Sequence, residues 1–324
     1  MESTIVVIFI ANEESSAITG VGVEQLEKTG YMEILHRGPV FWVDSADSEP
    51  CIGTAGIIQW QLTISGKLFH SGFPQLGINA MEMAMDVVHY IQSKFYETFP
   101  AHPREAEYNF TNCSTLKPTQ IETGAGSINQ IPGVCVVRGD VRLSPFYDIA
   151  DVRIFIEQCV RDINANPAIV DSNSHGPHSK YVLESENVSG RVELKWLTGG
   201  ENGIACSLES VGHKALVEAT LAVKGTVAPY SVSGSLPLVR DLQEKGYDIQ
   251  LCGYGLAKKY HALNECAKLS DFQQATRIIS RVRTYVLTLE LNSDPSPCHH
   301  PPLCRLYIPV CTHNFPALVP CPCP

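Results

Sequence analysis

Two glutamates stand side by side in TIVVIFIANEESSAITG, residues 4–20, just after an unbroken apolar run of eight residues ends. Adjacent carboxylates repel, but successive residues of an extended chain point in opposite directions. One of the pair can therefore hold a cation while the other faces a water bound to it. The cation offsets the repulsion, and partial desolvation lifts a carboxylate toward the neutral range that a general base needs. Two further segments offer matching donors. Asp44 ends the apolar stretch VFWVDSAD (40–47), and GYGLAKKYHALNE (253–265) carries His261 in a loop after another apolar stretch. Glu14, Asp44 and His261 meeting at the C-terminal edge of one sheet would form a carboxylate and imidazole set suited to zinc, cobalt or manganese.

The elements needed to place them are legible in the hydrophobic pattern. Residues 4–11 read as a strand buried on both faces of a parallel sheet, 20–30 as a helix closed by Gly30, and 40–47 as a second buried strand. Acidic residues at strand ends are where open α/β sheets place their ligands. From about residue 56 the texture changes. IIQWQLTISGKLFHSG (57–72) alternates like a half-exposed strand, and 79–95 has one apolar helical face through Ala84, Val87, Val88 and Ile91. Strands at 117–124 and 134–143, a helix at 147–163 and a strand at 191–197 complete a β-α-β-β-α-β order, the ferredoxin-like split motif. The first texture then resumes with a helix at 207–225, a Gly/Ser loop feeding a helix at 231–246, a strand entering a loop at 247–255 and a last amphipathic helix at 271–287.

The chain has 324 residues, a formal net charge of −10, 44% hydrophobic and 18% charged residues. Acidity of this degree leaves no basic field for nucleic acid or an anionic membrane. No apolar run approaches the roughly 20 residues of a membrane span, and no signal peptide is apparent. The expected location is therefore cytoplasmic, with an organelle as the variant if a targeting segment precedes Met1. Cys51, Cys113, Cys135, Cys159, Cys206, Cys252 and Cys266 are scattered singly and read as buried free thiols. The last 37 residues differ: nine of the 21 prolines lie beyond residue 283, and Cys298, Cys304, Cys311, Cys321 and Cys323 show no C-x2-C spacing. Proline at this density opposes helix and central strand alike, so the tail is set outside the fold.

Five segments, NEESSAITGVG, VFWVDSAD, KLFHSG with INAMEMA, GSINQIPGVCVVRGDVRLSP and YGLAKKYHALNE, occur in an order that resembles the M20 metallopeptidase and deacylase family, the plant-type deacetylases most of all. The similarity covers about residues 1–283. It implies an α/β metallohydrolase domain with a mixed or parallel sheet and an inserted ferredoxin-like α+β lid that also dimerises. The implied division is 1–55 and 200–287 for the catalytic domain, 56–199 for the lid, and 288–324 for a Pro/Cys-rich disordered tail. The implied activity is hydrolysis of an N-acyl amide on a small amino acid, N-acetylornithine being favoured, with two divalent metals, zinc or cobalt, as cofactors.

The same resemblance implies roles one position at a time. Glu13 matches the general base, Glu14 and His261 the ligands of one metal, and Asp44 a carboxylate ligand of the other, with Asp47 as its substitute. His70 matches the donor to the carbonyl oxyanion, which in relatives reaches the partner subunit's site. Asn129, Arg142, Gly234 and Ser235 match substrate-holding positions. His36, His89, His102, His175 and His178 receive no role. Relatives carry a His-x-Asp motif and a bridging aspartate in their metal centre. No His-x-Asp occurs in this sequence, so the expectation includes an N-terminally truncated catalytic domain and weakened metal binding. The alternative reading is a catalytically inactive chain that acts only as a homodimer partner through its lid, using 57–72 and 79–95.

Overall fold

A computed structural model describes residues 5–10, 21–124, 126–171, 175–176, 181–236, 239–260, 262–293 and 305–307. Along the chain come β1 (Val7–Ile8), α1 (Val23–Lys28), β2 (Val40–Val43) and β3 (Pro50–Thr54). Next are β4 (Gly56–Ser65), β5 (Phe69–His70), α2 (Ala80–Thr98), α3 (Arg104–Glu107), β6 (Thr115–Thr123), β7 (Gln130–Ile131) and β8 (Val134–Leu143). Then follow α4 (Ile149–Ala165), β9 (Val182–Leu183), β10 (Val188–Ser189), β11 (Arg191–Trp196) and α5 (Val211–Lys224). The last are β12 (Tyr230–Val232), α6 (Val239–Glu244), β13 (Ile249–Cys252), α7 (Leu269–Ser293) and β14 (Arg305–Tyr307). Two compact units result, 1–52 with 206–230 and 237–324, and 53–205 with 231–236. No described helix is long and apolar enough to cross a membrane.

The first unit is built on a mixed six-stranded sheet in the order β1-β14-β2-β13-β3-β12. β1, β14, β2 and β13 run parallel, and β3 runs antiparallel to β13. Phe41 and Trp42 are buried in the interior of this sheet. Phe41 packs with Ala215, Leu216 and Ala219 of α5 and with Ile278, Val282 and Val286 of α7. The four-residue spacing on α7 keeps those three side chains on one helical stripe. The apolar run at 4–11 behaves differently from the sequence expectation. Among the described residues of this run only two form a strand, and Val7 and Phe9 remain 43% and 66% exposed. β1 is the outermost strand with a neighbour on one side, so its hydrophobicity is only partly covered. A second difference lies in the tail set aside as disordered. Arg305–Tyr307 forms a strand between β1 and β2, within the proline-free interval from Leu303 to Ile308.

The second unit is an antiparallel four-stranded sheet in the order β11-β4-β8-β6, with α2 and α4 packed on it. In order of appearance these strands are the fourth, first, third and second of the motif, which is the ferredoxin-like arrangement predicted. β8 alternates strictly: Cys135, Val137, Val141 and Leu143 are buried in the core shared with α2 and α4, while Arg138, Asp140 and Arg142 share the other face. Both helices begin on side-chain caps. Asn79 accepts from Met81 N–H at 3.0 Å, and Asp148 accepts from Ala150 N–H at 2.7 Å. Gly139, at the centre of β8, lets neighbours close in: a Cβ there would lie 2.1 Å from Lys117 O and 2.5 Å from Trp60.

The stretch 57–72, expected as one strand, is two. β4 ends at Ser65, and a Cβ at Gly66 would lie 2.2 Å from Ile78 O, so glycine permits the close crossing that starts β5. β4 is also interior, flanked by β11 and β8, so it cannot offer the free edge expected of it in dimerisation. The edges belong to β11 and β6; on β6 Lys117–Thr123 are all exposed, and Pro118 is tolerated because among the described residues no strand pairs beyond it. A groove of about 400 Å³ runs between α2 and β6, lined by Met85, Val88, His89, Gln92, Ile121 and Val137 among others.

One polar cluster is buried within this unit. Asp86 of α2 accepts a 2.6 Å hydrogen bond from Tyr181 Oη and lies 3.1 Å from His175 Nε2. Burial, then the hydrogen bond to Asp86, push the Tyr181 phenol well above its usual value. The sequence pattern left His175 without a role. It lies in a stretch of no periodicity, and only the fold brings it to Asp86.

Candidate functional site

Three parallel strands of the first unit, β1, β2 and β13, send the chain out at one sheet edge. Asp44 follows β2 directly. Its N–H donates to Cys252 O at 2.8 Å, which extends the β2–β13 ladder by one residue and leaves the side chain half-buried. After β13 the chain runs through Gly253–Tyr260 at the same edge. The Tyr260 phenol is raised well above its ordinary value by desolvation first, then by Tyr230, Asp44, Cys51 and Asp47. Asp44 and the residue before His261 are therefore electrostatic neighbours. Glu13, Glu14 and His261 themselves lie outside the described residues.

The loop after Asp44 is tightly held. Asp47 and Ser48 both adopt left-handed backbone, with φ of 61° and 53°, a conformation costly for residues with a Cβ unless neighbours enforce it. Lys224 does so, donating to Asp47 O at 2.9 Å, Ser48 O at 3.2 Å and Glu49 Oε1 at 2.5 Å. Tyr230 Oη accepts from Ala46 N–H at 3.0 Å and donates to Ala46 O at 3.1 Å, and burial pushes its phenol up to about 12. Asp47 Oδ1 accepts from Ala257 N–H at 3.2 Å, so this carboxylate ties the two loops together. Sequence reasoning missed Lys224 and Tyr230. Each sits at the end of an ordinary-looking element, and only the fold carries it to residues 46–49.

In the second unit, His70 and Asn129 come together. β5 pairs with β7 in the register His70↔Gln130, and Ser71 N–H donates to Asn129 O at 2.9 Å. His70 is exposed, and its Nδ1 accepts from Gly72 N–H at 3.0 Å. Nδ1 thus serves as acceptor, which leaves the ring proton on Nε2, pointing a donor outward.

Arg142 lies at the far end of β8. Its Nε donates to Asp140 Oδ2 at 3.0 Å, and both side chains share the sheet face opposite the helices. A cavity of about 80 Å³ adjoins it, lined also by Phe110, Asn112, Cys113, Thr115, Ser144 and Ser233 together with Ala55. Gly234 O accepts from Ala55 N–H at 2.9 Å, so the 233–235 loop with Gly234 and Ser235 meets the Arg142 end. Eight residues of extended strand separate Val134 from Arg142, roughly 26 Å. The expected substrate-holding positions therefore form two groups at opposite ends of β8, not one.

The scattered thiols are free among the described residues; Cys113 and Cys266 are exposed where the sequence reading expected burial. Both fall outside strands and helices, whereas Cys51, Cys135, Cys159 and Cys252 lie within them; Cys206, also outside, is buried all the same. Among the described residues, no group of three or more His, Cys, Asp or Glu converges on a metal position. They supply one donor of the expected set, Asp44.

Residues 52–167 match the peptidase dimerisation domain of the M20 family. The chain is 49% identical over 282 residues to the acetylornithine deacetylase of Arabidopsis thaliana, a match covering 87% of this chain and 63% of that protein. It is 46% identical over 285 residues to the acetylornithine deacetylase of Dictyostelium discoideum, with the same shares covered. The chain thus spans about 63% of the length of these relatives. Among solved structures, the fold is shared with the aminopeptidase PepT of Bacillus cereus at TM-score 0.55 and 13% identity, covering 86% of this chain and 63% of that one. It is shared too with the M20 metallo-carboxypeptidase Sso-CP2 of Sulfolobus solfataricus at TM-score 0.53 and 17% identity, covering 85% and 69%.

Proposed function

We propose that this chain, which matches the M20 peptidase dimerisation domain over 52–167 and is 49% identical to an acetylornithine deacetylase, belongs to the M20 peptidase family and is part of a metal-dependent amide hydrolase that removes the acyl group from a small N-acyl amino acid, with N-acetylornithine as substrate. The observation that carries the reading is the 49% identity to a deacetylase of that name across 87% of the chain. The parallel strand ends that bear Asp44 and lead to His261 support it.

In this reading Glu14, His261 and Asp44 hold divalent metal, zinc or cobalt, which when bound supplies activation of the attacking water. Glu13 takes the proton from that water and returns it to the leaving amine. His70, with its proton on Nε2, donates to the carbonyl oxygen as charge develops there. Loss of one such donor typically costs 10²–10³ in rate. Arg142, Asn129 and the Gly234–Ser235 loop hold the rest of the substrate.

The separation of these groups has a consequence for assembly. A small N-acyl amino acid spans roughly 7 Å, the reach of two residues. His70 and Arg142 of one chain, about 26 Å apart along β8, therefore serve two different substrates. A homodimer satisfies this, with His70 completing the partner's site and the β6 edge and α2 groove forming the shared surface. The test is acetate release from N-acetylornithine by the purified full chain with zinc or cobalt, compared with Asp44→Asn. Turnover that survives Asp44→Asn and chelation alike would sink the reading. A second reading, pairing through the lid without turnover by this chain, is favoured by the completeness of the lid sheet. It predicts a stable dimer in sedimentation with no metal retained.

A further inference from the structure

The cavity beside Arg142 holds more hydrogen-bonding capacity than the protein uses. Asp140 takes the Nε of the guanidinium at 3.0 Å, a hydrogen bond that does not use the paired Nη donors at its tip. Ser144, two residues further along the same chain face, is only 5% exposed, and its hydroxyl has no hydrogen-bond partner among the described residues. Its position is fixed, because its own N–H donates to the buried Ser114 Oγ at 3.0 Å. Cys113, though exposed, adds no negative charge to the wall: partial desolvation and then Glu105 raise its thiol above an already high ordinary value. Buried polar groups are almost always satisfied, so an orphan hydroxyl lining a cavity beside an oriented guanidinium marks the place of an acceptor that the protein does not provide.

We propose that Ser144 is a carboxylate-binding residue that shares one ligand carboxylate with Arg142, and that Asp140 is the positioning residue that aims the guanidinium for it. This inference rests on the reading of Arg142 as the residue that grips the substrate's carboxylate, and it adds the residues that set the selectivity. The ligand class is a small N-acyl amino acid with a free α-carboxylate. Its carboxamide analogue, which offers one acceptor and no charge, is rejected.

The test measures dissociation constants of the full chain for N-acetylornithine and for its α-carboxamide by ligand-observed NMR. The wild type binds the carboxylate more tightly. Ser144→Ala weakens carboxylate binding about tenfold, the usual worth of a hydrogen bond to a charged acceptor, and leaves the carboxamide unchanged. Ser144→Thr keeps the hydroxyl and retains the preference, which separates loss of the donor from loss of packing. Asp140→Asn, similar in shape but uncharged, narrows the carboxylate-to-carboxamide ratio while Arg142 remains in place. A preference erased by Arg142→Gln but untouched by Ser144→Ala overturns the role of Ser144 alone. An Asp140→Asn variant with an unaltered ratio removes the positioning role. A wild type with no preference for the carboxylate overturns both this inference and the reading of Arg142 beneath it.

Discussion

Replacing Asp86 by alanine is expected to loosen the second unit more than any single surface change. Asp86 accepts from the buried Tyr181 hydroxyl at 2.6 Å and meets His175 Nε2 at 3.1 Å. Tyr181 is 3% exposed, so its hydroxyl has no route to water once the carboxylate is gone. Leaving the buried Tyr181 hydroxyl without its acceptor costs about 1–3 kcal/mol. A domain of this size shifts its Tm by about 2–4 °C per kcal/mol, which puts the expected fall at roughly 2–12 °C. Tyr181→Phe removes only the hydroxyl and costs about 1–2 kcal/mol. Thermal unfolding of the two single variants and the double variant completes a cycle. Because both changes break the same hydrogen bond, the double variant loses less than the sum of the singles, by about 1 kcal/mol or more. A fall below about 2 °C for Asp86→Ala, or strict additivity, would refute the reasoning.

Gly72→Ala brings a Cβ to 3.2 Å from His70 Nδ1. It displaces the ring, and steady-state kinetics are expected to show a lower kcat with little change in KM. His213 is held below its ordinary 6.5, chiefly by burial. The unfolded chain then binds the proton more readily, so stability present above pH 6.5 is lost as pH falls through that value. Tm measured from pH 7.5 to 5.5 should decline, and His213→Gln should flatten part of the decline. Ile121 is 57% exposed on the β6 edge. Ile121→Lys should shift a lid-mediated dimer toward monomer in sedimentation without lowering the Tm of the monomer by more than a degree or two.

Much of the lid was legible because its strands and helices alternate cleanly. β8 occupies 134–143, the same residues that the period-two pattern marks. The break after Ser65 was not legible, because Gly66 and Lys67 carry no turn signal stronger than one glycine, and the cause is a carbonyl from Ile78 that lies far along the chain. The same holds for the free edges of this sheet: which strand is outermost depends on sheet order, and sequence order places β4 first without revealing that it is central. In the first unit, hydrophobicity identified β2 and β13 but overstated β1, whose burial depends on what lies beside it and not on its own side chains. Of the candidate residues, Asp44 and the His70–Asn129 pair sit at element ends, as motif spacing suggests. The hold of Lys224 on residues 46–49 and the orphan hydroxyl of Ser144 arise from long-range packing that no local pattern encodes.

The two rims of the lid sheet are not alike in how they discourage growth. β11 carries Arg191, Glu193 and Lys195 in alternation, while β6 presents Thr119, Gln120 and Ile121 in succession at its middle. Should two copies join along β6 about a two-fold axis, the direction of every strand would keep alternating across the seam, and an eight-stranded ribbon would result. Its outer margins would then both be the charged ones. Such an arrangement would close on itself about the two-fold axis, and the three charged side chains on the opposite border would discourage a further copy from adding there.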